Sequence, residues 1–217
     1  TTSAMTSPTE GRKTMKTDRE FRKCAEFRAM DDADSYVVEG YATTFDQPYT
    51  LYSDGYYELR EVVDSHAFDK TDMSDVIMQY DHEGRVFARN RNKTLDLTTD
   101  EHGLKITANL GGTDIGRQLY QEIKGGYTDR TSFAFTVSDD KRERETIDGK
   151  IVVPRRILGF RKLYDVSAVS TPANNSTSIS ARSFVDGVIA ELEAERLSAL
   201  EYSKRKLALK IKLAGGK

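Results

Sequence analysis

The chain has 217 residues, enough to bury one sizeable core with appendages rather than two full domains. Hydrophobic residues make up 37% and charged residues 31%, with no tryptophan, so solvated or partner-dependent segments are expected, chiefly at the ends. Lys and Arg number 33 against 35 Asp and Glu, which removes the field that would draw nucleic acid, and a single cysteine, Cys24, rules out an intrachain disulfide framework or a cysteine-rich zinc site. No run reaches membrane-spanning length and no signal peptide opens the chain, so a soluble protein of a reducing compartment, with no nucleic-acid or membrane partner, is expected.

In chain order, residues 1–18 lack periodicity and read as a flexible arm. In FRKCAEF the alternation places Cys24 at a half-buried strand position rather than making it a nucleophile. Short β-rich runs follow at 36–44, 58–63, 75–82, 93–98 and 103–110, and turn residues in TDEHG make 93–110 a hairpin. Residues 113–126 predict a helix: Ile115, Leu119 and Ile123 form a stripe, Thr113 or Asp114 caps the start and Gly125 stops the end. RTSFAFTV (130–137) alternates as a strand, with Phe133, Phe135 and Val137 on one face and Ser132, Ala134 and Thr136 on the other. A charged loop over 141–149 separates it from strands at 150–154 and 162–170. A Ser/Asn/Thr-rich stretch, 172–183, then reads as a linker after a folded domain of 19–171. The tail 184–217 predicts a charged amphipathic helix, acidic early and basic late, which must dock on its own domain, self-associate or bind a partner.

Three residues could carry chemistry together. Ser132 either fills a small-residue face or is held rigidly as a nucleophile, and a serine hydroxyl needs a base to take its proton. His66 and His102 lie in turn-like surface settings, whereas His82 ends the apolar run VIMQYDH, where it is either a satisfied core residue or that base. In an extended segment Asp81 and Glu83 would point away from the His82 face, so an acid orienting the ring has to come from another strand. Asp165, in mid-strand within KLYDVSAVS, requires a partner once buried: either the His82 N–H or one of Arg155, Arg156 and Arg161. Amides after Gly125-Gly126 or around Arg155-Arg156 are candidate oxyanion donors. Three scattered histidines show no metal-ligand spacing, and no cofactor is implied.

QYDHEGRVFAR, then a turn-GL hairpin, then SFAF, then LYDVSAVSTPAN, in that order, resembles the prohead maturation protease family of tailed bacteriophages, assemblin-like serine peptidases. SHAFDK (65–70) and TPAN (171–174) add to the resemblance, which covers about 58–174. It implies an α+β fold with a strand-dominated, barrel-like core, peripheral helices and the C-terminal amphipathic helix. It also implies a serine endopeptidase with Ser132 as nucleophile, His82 as base and Asp165 orienting the base. The expected partner is the major capsid protein, whose scaffolding segment is cut inside the assembling prohead in the bacterial host cytoplasm. Self-cleavage belongs to the same expectation, while self-association through the C-terminal helix rests on the tail's own pattern. A non-catalytic capsid-assembly module of the same fold is the alternative. The chain departs from the family at Ala134, usually Gly, and at Asp165, often Glu.

Overall fold

A computed structural model describes residues 19–30, 35–169 and 179–214, with the side chains of 23–27 and 179–183 left aside. The expected arm at 1–18, the Cys24 side chain, TPAN and the linker up to residue 178 lie outside the described residues.

The strands are β1 (Glu20–Ala29), β2 (Val37–Thr44), β3 (Tyr49–Ser53), β4 (Tyr57–Val63), β5 (Ile77–Tyr80), β6 (Glu83–Arg89), β7 (Leu95–Thr99), β8 (Gly103–Asn109), β9 (Arg130–Arg142), β10 (Glu145–Ile147) and β11 (Lys150–Val169). The helices are α1 (Asp114–Lys124) and α2 (Ile179–Ala214). The fold is α+β and strand-dominated, with one sheet curled into a half-barrel and a C-terminal helix. Its main path runs β3-β4-β11-β9-β1-β2-β8-β7, with β5 pairing the last stretch of β11, β6 pairing β5, and β10 pairing β11.

Local sequence accounts for much of this. The β7–β8 hairpin forms where expected, its turn held by the Asp100 carboxylate, which accepts the amides of His102 and Gly103. Helix α1 starts at the Thr113 cap, whose hydroxyl accepts the Gly116 amide, and buries Leu119, Tyr120 and Ile123. In β9 the Phe133 and Phe135 rings stack at 4.7 Å on one face and join Phe160 in the main core.

Two expectations are corrected. The strands read at 150–154 and 162–170 are one 20-residue strand, β11, which bends through register shifts around Ile157, Gly159, Phe160 and Leu163. It stays continuous because Arg155, 4% exposed, is drawn in by ion pairs to Glu20, Glu61 and Asp140 from three other strands. The loop read at 141–149 is instead the end of β9 followed by a short hairpin, whose turn residues Asp148 and Gly149 both have positive φ.

That ion-pair cluster ties the sheet together. Arg22 of β1 grips Glu61 of β4 with two hydrogen bonds of 2.6 and 2.9 Å and also donates to Glu20, while Tyr49 donates its hydroxyl to Glu61. Burial alone would raise the Glu61 pKa, but the adjoining Arg22, with Arg155 and the Tyr49 hydroxyl, outweighs it and holds the carboxyl below its ordinary value.

Helix α2 divides into two parts. Val185, Val188 and Leu192 pack on Leu51, Tyr57, Leu59 and Val153, and the Tyr57 hydroxyl donates to Glu193 at 2.6 Å. From Leu197 onward the apolar side chains are exposed, including Leu200, Leu207 and Ile211. The helix expected over the tail therefore docks on its own sheet by its first half only. No helix among the described residues is long and apolar enough to cross a membrane.

Candidate active site

β11 lies at the centre of the site. Its first stretch pairs β4, its last stretch pairs β5 in parallel from Asp165↔Ile77 to Ala168↔Tyr80, and β9 runs antiparallel along its other edge. That register sets Ser132 of β9 opposite Ser167 of β11 and Ala134 opposite Asp165, so these four share one face.

His82 reaches that face from a turn, not from the extended segment read at 75–82. Tyr80 pairs with Glu83 across a two-residue loop, Asp81-His82, in which both residues have positive φ (50° and 64°), the signature of a type I′ hairpin turn. The Asp81 amide donates to the Ala168 carbonyl at 2.9 Å and anchors the turn on β11. A left-handed histidine is uncommon and costs of order 1 kcal/mol or more unless its surroundings hold it. Here the edge of the Phe21 ring, 4.6 Å away between centroids, packs on the imidazole.

The three sequence-predicted residues converge. His82 Nε2 lies 2.6 Å from Ser132 Oγ, and His82 Nδ1 lies 2.5 Å from Asp165 Oδ1. Asp165 is 2% exposed and Ser132 is 1% exposed. Of the arginines that could have claimed Asp165, Arg155 serves Glu20, Glu61 and Asp140, and Arg156 serves Asp64 and Asp46. An imidazole between a hydroxyl and a buried carboxylate can take a proton on one nitrogen while its other N–H stays fixed, which is the requirement for activating a serine.

A scan of protein-family models matches residues 23–187 to the caudovirus prohead serine protease family. The chain belongs to that family. No curated protein and no solved structure matches it. Membership brings the class of a serine peptidase of phage proheads, and the match spans the strands that carry Ser132, the His82 turn and Asp165.

Sequence reasoning missed three contributors. The Ser167 hydroxyl, completely buried, donates to Asp165 Oδ1 at 2.7 Å, the same oxygen that meets His82. Its i+2 spacing from Asp165 was the available signal, since it places both on one face. The Arg22 carbonyl lies 3.0 Å from Ser132 Oγ and offers its proton a second acceptor. Phe21 supports the ring. Nothing local in β1 could reveal the last two, because both depend on the pairing of β1 with β9.

The candidate oxyanion amides have other engagements. Those of Gly125, Gly126 and, after them, Tyr127 donate to Gln121, Ile123 and Glu122 at the end of α1. Arg155 pairs with Arg142, ten residues along β9 from Ser132.

Proposed function

We propose that Ser132 is the nucleophile, His82 its general base and Asp165 the acid that orients His82, in an endopeptidase acting on capsid-assembly proteins. The observation that carries this reading is the single imidazole touching both Ser132 and Asp165. His82 Nε2 takes the Ser132 proton as Oγ attacks the scissile carbonyl, while Asp165 holds Nδ1–H and balances the imidazolium. The proton then passes to the leaving amine, the C–N bond breaks and an acyl-serine remains. Water, deprotonated by the same imidazole, attacks the ester carbon, the bond to Ser132 Oγ breaks as the imidazolium returns its proton to Oγ, and the acid product leaves.

The substrate in this reading is the scaffolding segment of the major capsid protein, cut inside the prohead, with a second cut in the chain's own Ser/Asn/Thr-rich stretch at 172–183. The protease unit is then residues 19–171, and helix α2, which begins at Ile179 within that stretch, belongs to a tail. Ser132 at 1% exposure fits a nucleophile that is uncovered only when substrate or shell engages the protein. Peptide hydrolysis should accordingly be slower in dilute solution than inside assembled shells, and equal rates would remove the gating.

The same burial is what the alternative has in its favour, a capsid-assembly module in which Ser132 only packs. Coexpression of Ser132→Ala with the capsid protein separates the two. Shells that assemble with the capsid protein uncut support the peptidase, and normal trimming refutes it.

A further inference from the structure

Beside the His82 turn lies a groove of about 620 Å³ between β6 and α1. β6 supplies Glu83, Arg85 and Phe87, which alternate onto one face, and α1 supplies Ile115, Gln118, Leu119 and Glu122, one stripe of the helix. Asp81, the other residue of the turn, also lines it, so the groove reaches the residue that precedes His82. Among the described residues β6 pairs only with β5, and only through Glu83, Ala88 and Arg89, so residues 84–87 bulge out of the ladder and have no strand on their outer side. An exposed edge next to a groove is the geometry of strand addition, in which main-chain hydrogen bonds hold an extended peptide and alternate side chains enter pockets.

The chemistry of the walls narrows the occupant. Phe87, Leu119 and Ile115 supply the apolar part of the lining, while the carboxylates of Glu83 and Glu122 stand against one guanidinium, Arg85. Glu83 and Glu122 have no salt-bridge partner among the described residues. We propose that an extended peptide substrate adds to the outer edge of β6 and lays a lysine or arginine side chain in this groove, its methylene stem on the apolar lining and its cation beside Glu83 and Glu122. This rests on the reading of Ser132 as nucleophile and assigns that site its substrate class.

Binding and reactivity are tested separately. Fluorescent octapeptides of Ser and Ala carrying one central Lys, Leu or Glu are titrated into the full chain with Ser132→Ala, and affinity is read by anisotropy. The Lys peptide should bind at least about tenfold tighter than the Glu peptide. Glu122→Lys, an exposed position checked for folding by thermal melting, should abolish or invert that order, and N-methylation of alternate peptide amides should weaken binding. Equal affinities for the three peptides, an order untouched by Glu122→Lys, or no binding of the Lys peptide at millimolar concentration would overturn the groove. Labelling of the unmodified protein inside assembled shells by a small fluorophosphonate reports on Ser132 alone. Its failure there counts against the nucleophile and not against the peptide site.

Discussion

Each residue of the site is constrained by what its neighbours leave it to do. Replacing Ser132 or His82 by Ala should lower turnover on the order of 10⁶-fold, with the double variant no worse than either, because the two act as one unit. Asp165→Asn should cost on the order of 10⁴-fold by favouring the wrong ring tautomer. Ser167→Ala removes one hydrogen bond to a charged oxygen, about 1.5 kcal/mol, so kcat should drop roughly tenfold with KM unchanged and Ser167→Thr should restore most of it. Steady-state kinetics in assembled shells checks all three, and an unaltered kcat for Ser167→Ala would remove its positioning role. Asp165, one methylene shorter than Glu, still meets His82 at 2.5 Å, and Ala134 fits opposite it fully buried.

Among elements, the tight β5–β6 turn and helix α2 show opposite relations between local pattern and outcome. The run VIMQYDH reads as a strand to its last residue, yet the chain reverses at Asp81-His82, and no Asn-Gly or Asp-Gly pair announces it. The inference that the orienting acid comes from another strand survives, although the extended geometry behind it does not. In α2 the apolar spacing is helical at Val185, Val188 and Leu192, which find a surface, whereas Leu207, Leu209, Ile211 and Leu213 recur at every second residue and stay exposed. Leu192→Ala should therefore destabilise the fold by about 2–4 kcal/mol, whereas Leu207→Ala should leave the thermal midpoint within about 1 °C. Equal effects would mean that the outer half of the helix is also packed.

At the scale of the whole molecule, the Glu20–Arg22–Glu61–Arg155–Asp140 cluster joins β1, β4 and β11 to β9, the strand that also carries Ser132. Breaking it from one side leaves buried guanidinium groups uncompensated, so Glu61→Gln should cost about 3–5 kcal/mol in denaturant unfolding. Because the Glu61 pKa is lowered on folding, its contribution is present above the unfolded value, about 4.3, and is lost as pH falls through the folded value. Acid should thus lower the melting temperature of the native chain, and Glu61→Gln should flatten that dependence. A parallel acid profile in both proteins would show that the cluster does not titrate in this way.

By itself the sequence determined what short-range chemistry encodes: the alternation of β9, the capped stripe of α1, the β7–β8 hairpin and three polar residues in need of partners. Only the tertiary structure decided which partners they find. His82 lies 50 residues from Ser132 and 83 from Asp165, and each pairing depends on strand registers across β5, β11 and β9 that no local window contains. The same reason hid Ser167, the Arg22 carbonyl and the continuity of β11: a buried charge or hydroxyl looks out of place along the chain until a distant strand supplies its counterpart.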